Sequence, residues 1–186
     1  VNSVQIRTGK LSDAEIVALG KPSAAGIPVV APKSGVSGQW DFNVNNTFLN
    51  GRLAPTIGKA LQYLDGAAGV TATETRFGTC SALGVALING EDADIMEVPY
   101  TPGVFAPYGY IMTHLIPPNG GGTRVNQFTF ILDVMVDTSG AGAASLASVC
   151  HVGRAGSCRE RVVPGARARR GPLRRVLGNV RLRRVR

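Results

Sequence analysis

Between Val125 and Asp137 the chain reads VNQFTFILDVMVD, with Phe128, Phe130, Leu132, Val134 and Val136 on one parity. Gln127, Thr129 and Asp133, interleaved with Ile131 and Met135, fall on the other. A period of two with one wholly apolar face predicts a long strand. β-Branched and aromatic residues fill most of its positions, and Pro117, Pro118 and three glycines, Gly120 to Gly122, stand just upstream, so helix is disfavoured on propensity and boundary grounds. A strand of this kind has to cover its apolar face with a second layer. The expected fold class is therefore all-β, an antiparallel β-sandwich.

The rest of the chain repeats the theme in shorter pieces. Val4 and Ile6 alternate with Ser3, Gln5 and Arg7, which predicts a short half-buried strand. A helix start follows at once, with Ser12 and Glu15 spaced as a capping box and Leu11 and Ile16 at the staple positions. Gly20 and Pro22 stop it, so the prediction is one short helix near the N-terminus, Asp13 to Leu19. Residues 21–38 are rich in Pro, Gly, Ala and Ser and have linker composition. A new unit opens at Gln39-Trp40-Asp41-Phe42 and runs through Leu53, Ile57, Leu61, Tyr63 and Leu64 to the turn signal Asp65-Gly66. Ala82 to Ile88 and Ile95 to Pro99 flank Asn89-Gly90, a strong two-residue hairpin signal. Turn chemistry at intervals of roughly ten residues suits a sandwich.

Charge changes the picture at the far end. Residues 1–153 hold four lysines and four arginines against eleven acids, a net of −3. Residues 154–186 hold twelve arginines, no lysine and one glutamate, a net of +11, so the basic character belongs to this segment alone. Clustered guanidinium groups suit phosphates, but the segment has no aromatic residue for base stacking, which argues against a nucleic-acid arm. Arginine without lysine, padded with Gly, Pro, Ala and Val, is what out-of-frame reading of GC-rich coding DNA tends to give. The expectation is a frameshift product from about Ala147 onward, with an Arg-rich disordered tail, 147–186, as the alternative.

Candidate chemistry is sparse. No apolar run reaches the roughly 20 residues of a membrane helix, so no membrane insertion is expected. His114 and His151 are the only histidines, and Cys150, His151 and Cys158 match no compact zinc spacing. No G-x-S-x-G occurs, and His114 reads as a hydrogen-bonded structural residue. Glu91, Asp92, Asp94 and Glu97 lack a calcium-loop pattern and read as a solvated turn. Asn119 to Gly122 precedes a strand and has no G-K-[ST], so it reads as a turn and not as a phosphate loop. Cys80 reads as a buried small apolar residue. The best candidate ligand-binding surface is the Pro/Gly loop carrying Tyr100, Phe105, Tyr108 and Tyr110, whose aromatic faces suit sugar rings or a protein partner.

Several stretches carry a family resemblance. VNSVQIRTGKLSDAEIVALG resembles the closing strand and short capped helix of a laminin-G-like, concanavalin-A-like jelly-roll domain. QWDFN, IGKALQYLDG, RFGTC and YGYIMTHLIPPNGGGTRVNQFTFILDVMVD resemble the opening half of a second such domain, of the kind found in tandem in large bacterial secreted and surface proteins. The resemblance implies a C-terminal remnant at 1–20, a linker at 21–38 and an incomplete second jelly roll at 39–146. It also implies a non-catalytic carbohydrate- or protein-binding, adhesion or spacer module, extracellular or at the cell surface, with no catalytic residue. No cofactor is expected, although a structural calcium ion is common in such domains. The alternatives are an accessory domain of an extracellular hydrolase and polyanion binding through the arginine tail.

Overall fold

A computed structural model of the chain describes residues 1–29, 35–42, 48–49, 52–98, 109–119, 121, 123, 125, 127–135 and 174–181. In chain order these form β1 (Ser3–Thr8), α1 (Asp13–Ala18), β2 (Val36–Asp41), β3 (Phe48–Leu49), β4 (Arg52–Leu53) and β5 (Leu61–Tyr63). They continue with α2 (Val70–Glu74), β6 (Arg76–Thr79), β7 (Asp94–Glu97), β8 (Tyr110–Ile111), β9 (Gln127–Val134) and β10 (Arg174–Arg181). Every pairing between these strands is antiparallel. The sheets run β10-β9-β1-β2, β3-β4-β5-β8 and β6-β7. The described chain is thus mostly strands in antiparallel sheets with few helices.

The long alternating run forms β9, as its period requires, while Val136 and Asp137 lie outside the described residues. Phe128, Leu132 and Val134 join Val4 and Ile6 of β1, Trp40 and Phe42 in one core, together with Leu61 of β5, Met96 of β7 and Ile116. Each large apolar side chain withdrawn from water here contributes about 1.5–3 kcal/mol. Trp40 is fully buried and still donates its indole N–H, to the Lys59 carbonyl at 2.9 Å.

The other parity of the same sheet departs from expectation. Ser3, Gln5 and Arg7 were expected to face water, yet all three are buried, as are Gln39, Asp41, Thr129 and Asp133. The reason is a third layer. Leu11, Leu19 and Ile27 pack on Ile131 with Ile16 beside them, so α1 and the segment to Pro28 roof the polar face. Burying polar groups is tolerable only when they bond to one another. Arg7 Nε donates to Gln5 Oε1 at 2.5 Å, Gln5 Nε2 to Gln39 Oε1 at 2.6 Å and Gln39 Nε2 to Asp41 Oδ2 at 2.7 Å, while the Ser3 hydroxyl donates to Asp41 Oδ1.

The helix forms with its capping box, Ser12 Oγ accepting from Glu15 N–H at 3.3 Å and Glu15 Oε2 accepting from Ser12 N–H at 2.7 Å. It ends at Ala18, with Gly20 at φ 68° turning the chain away. The stretch read as a linker, 21–38, runs into a strand at its end. Val36 to Gly38 belong to β2, because β1 offers them a ladder partner, Gly38 standing opposite Ile6 and Val36 opposite Arg7. Residues 1–20 and 39–42, assigned to different units by resemblance, therefore meet in one sheet.

Within the Arg-rich tail, residues 174–181 form β10, which pairs with β9 along its whole length. An unpaired strand edge is a row of unsatisfied donors and acceptors, and a further strand satisfies them. The register sets Val176 against Leu132 and Val180 against Phe128, an alternation that Arg174 and Gly178 mask in the sequence. Asn89 and Gly90, at φ 51° and 86°, form the expected tight turn, joined by the Ile88↔Glu91 bridge. Its apolar flank Ala82 to Leu87 makes turns and not a strand, and β7 pairs instead with β6.

Candidate functional site

Of the four aromatic residues singled out in the sequence, Tyr100, Phe105 and Tyr108 lie outside the described residues and Tyr110 does not. Tyr110 opens β8, opposite Tyr63 of β5, and the two rings meet with centroids 5.5 Å apart at 39°. Both are half-buried, with Tyr110 also packed on the main core. The pair exists because Leu61 and Tyr63 share a parity on β5, so the residue that follows the buried Leu61 on that face meets the first residue of β8.

Beyond Tyr63 the chain turns through Asp65-Gly66, with Gly66 at φ 82°, into α2. Asp65 Oδ2 accepts the Thr71 N–H at 2.9 Å and so fixes the first turn of this short helix. Gly69 has to be glycine, because a Cβ there would overlap the Asp65 carboxyl group. Thr71 and Thr75 are four residues apart and share a helix face. Thr71 Oγ1 accepts the Gly109 N–H at 2.7 Å, and the Gly109 carbonyl accepts the Leu64 N–H at 2.9 Å, so β8 is pinned to both β5 and α2.

Three oxygens are left over. Tyr110 OH, Thr75 Oγ1 and Asp65 Oδ1 are buried with no hydrogen-bond partner among the described residues. The Thr75 hydroxyl borders the Tyr110 phenol and favours its ionised form slightly, but burial dominates and, with Tyr63 and the Asp65 charge nearby, pushes Tyr110 up to about 12. Tyr63 is raised as well, by burial and then by Asp65. Burial opposes the ionisation of Asp65, but hydrogen bonds from the Thr71 backbone and side chain outweigh it and hold the carboxyl below its ordinary value. The site thus sets two adjoining, tilted phenol rings beside a carboxylate acceptor.

Sequence reasoning named Tyr110 and missed Tyr63, Asp65, Thr71 and Thr75. The Asp65-Gly66 turn and the i, i+4 threonines were visible signals, but only the β5–β8 pairing brings them to Tyr110.

The other candidates are structural where described. Asp92 accepts the Ser81 N–H at 2.8 Å and Glu97 pairs with Arg76 at 2.5 Å on the surface. His114 Nδ1 accepts the Ile116 N–H at 3.3 Å, outside any strand. Cys80 is buried among Ile88, Ala93 and Ile95. Asn119 exchanges two hydrogen bonds with the Gln127 backbone, at 2.7 and 2.8 Å. Cys150, His151 and Cys158 lie outside the described residues. Among the described residues, no three His, Cys, Asp or Glu side chains come together as a metal site, and no helix is long and apolar enough to cross a membrane. Compared with known proteins, the chain matches no family model, no curated protein and no solved structure.

Proposed function

We propose that this chain is a non-catalytic carbohydrate-binding module of an extracellular or cell-surface protein, built as an antiparallel β-sandwich of the laminin-G-like, concanavalin-A-like jelly-roll class. The sandwich reading is supported by the core that β9, β1 and β2 share with β5, β7 and β8. One observation carries the binding reading: the half-buried Tyr63 and Tyr110 rings adjoin, with centroids 5.5 Å apart and the Asp65 charge near both. Aromatic faces pack on the apolar faces of pyranose rings, and a carboxylate accepts hydrogen bonds from sugar hydroxyls. Protein binding, adhesion or spacing by the same surface is the broader form of the reading.

The test is a glycan array probed with the full chain, followed by calorimetric titration of any sugar retained. Tyr63→Ala removes one ring face, and Asp65→Asn removes the acceptor charge with little change of volume. Each is expected to weaken sugar binding about tenfold, the worth of roughly one good contact. Sugar binding that both variants leave unchanged, or an array on which nothing is retained, removes the carbohydrate reading.

A further inference from the structure

We infer that Asn89 is a self-modifying residue: the Gly90 backbone nitrogen converts its side-chain amide to aspartate and isoaspartate, and the isoaspartate form loosens the buried cluster around Cys80. The inference is independent of the sugar-binding reading.

The reaction asks three things of a fold. The backbone nitrogen after the asparagine has to be free of a hydrogen bond, the side-chain amide has to be free too, and the peptide between them has to turn. Asn-Gly occurs in this chain at Asn50, Asn89 and Asn119. Asn50-Gly51 lies outside the described residues. Asn89 and Gly90 are both exposed, and neither the Asn89 amide nor the Gly90 N–H has a hydrogen-bond partner among the described residues. The turn is tied at its base, where Ile88 and Glu91 each donate an N–H to the other's carbonyl at 3.0 Å. Gly90 carries no Cβ and the space where one would stand is open, so its peptide can rotate. Asn119 is held in the opposite state. Its Nδ2 donates to the Gln127 carbonyl at 2.7 Å and its Oδ1 accepts the Gln127 N–H at 2.8 Å, so attack on its Cγ requires both bonds to the start of β9 to break.

At Asn89 the Gly90 N–H gives its proton to water or hydroxide and the nitrogen bonds to Asn89 Cγ. The Cγ–Nδ2 bond breaks, ammonia leaves with a proton taken from solvent, and a cyclic imide remains. Water then opens the ring. Opening at Cγ gives aspartate, whereas opening at the main-chain carbonyl gives isoaspartate, whose backbone runs through Cβ and Cγ and is longer by a carbon. No oxidant or reductant takes part. A two-residue loop has no slack for the added atom, so the Ile88–Glu91 pair separates. Ile88, 1% exposed, encloses Cys80 together with Ala93 and Ile95. Its displacement opens the thiol to water, where it ionises and reacts more readily than among apolar side chains.

The test ages the full chain, carrying Cys150→Ser and Cys158→Ser so that Cys80 is the reporting thiol, at mildly alkaline pH and maps it by peptide mass spectrometry. Asn89 is expected to lose its amide about tenfold faster than Asn119 in the folded chain, and the two rates to converge in urea. In the fraction that has lost the Asn89 amide, alkylation of Cys80 is expected to quicken about tenfold. It should not quicken in a fresh Asn89→Asp chain, which has the charge without the longer backbone, or in an aged Asn89→Gly chain, which has no amide to lose. Equal rates at Asn89 and Asn119 in the folded chain, or Cys80 alkylation that the loss of the Asn89 amide leaves unchanged, overturns the proposal.

Discussion

Ser3 donates its hydroxyl to Asp41 Oδ1 across the β1–β2 ladder, within a layer where Ser3 is wholly buried and Asp41 is 8% exposed. Asp41 also accepts from Gln39 at 2.7 Å and lies beneath the Gly26–Ile27 segment, whose Ile27 N–H reaches Ser3 Oγ at 3.3 Å. Asp41→Ala leaves a buried hydroxyl and a buried amide without their acceptor and is expected to cost about 2–4 kcal/mol of unfolding free energy. Ser3→Ala is expected to cost about 1–2 kcal/mol. In urea denaturation the double variant loses less than the sum of the two, because both single changes break the same bond. Strict additivity would show that the bond contributes nothing.

Gly26 closes over that carboxyl group. At φ 83° its conformation already disfavours a side chain, and an added Cβ would stand 2.6 Å from Asp41 Oδ1 and 3.2 Å from Ser3 Oγ. Gly20, at φ 68°, has open space around the same position. Gly20→Ala is expected to cost about 1–2 kcal/mol, the left-handed penalty alone. Gly26→Ala is expected to cost clearly more, since the Asp41 hydrogen bonds have to shift too. Equal losses in parallel thermal unfolding would mean that the roof over Asp41 yields freely.

What the sequence disclosed and what it concealed divide along a physical line. β9, the Ser12–Glu15 capping box and the Asn89-Gly90 turn were legible because each is decided within a few neighbouring residues. The burial of Ser3, Gln5 and Arg7 was not, because a binary pattern assigns polar residues to water unless their partners are known. Those partners, Gln39 and Asp41, are 34 and 38 positions away from Gln5 and Ser3. α2 escaped notice because VTATE holds three β-branched residues and survives on the Asp65 cap and the Thr71–Gly109 bond. For the same reason only Tyr110 of the candidate site was visible. Strand β10 was hidden by its arginines, whose place opposite β9 is a matter of register and not of periodicity.

The buried phenol of Tyr110 makes a titration prediction. Its value is raised to about 12, chiefly by burial, so its contribution is fully present below the ordinary tyrosine value of 10 and is lost as pH rises through about 12. The tyrosinate absorbance of the parent minus that of Tyr110→Phe should therefore titrate well above 10. A midpoint at 10 would place the ring in water. Because Thr75 is the one group bordering the buried hydroxyl, Tyr110→Phe should change stability by no more than about 1 kcal/mol.

Acid is expected to act in two separate windows. Burial holds the His114 imidazole below its ordinary 6.5, and protonation would also remove the acceptor that Ile116 N–H uses. At His114 the folded chain therefore binds fewer protons than the unfolded chain as pH drops past 6.5, so this residue's contribution is full above that value and declines below it, while the buried Val1 amine, lowered to about 6 by burial, adds a decline that starts nearer 8. Glu15 is lowered by the Ser12 backbone bond and then its side-chain bond. Asp92 is lowered first by the Ser81 backbone bond. Their contributions are present above the ordinary carboxyl values of 4.5 and 3.8 and fade only at lower pH. Urea midpoints followed downward from neutral pH should show a first decline that His114→Gln diminishes and a second, more acidic one that it leaves in place. An unchanged first decline in His114→Gln would assign it elsewhere and return His114 to solvent.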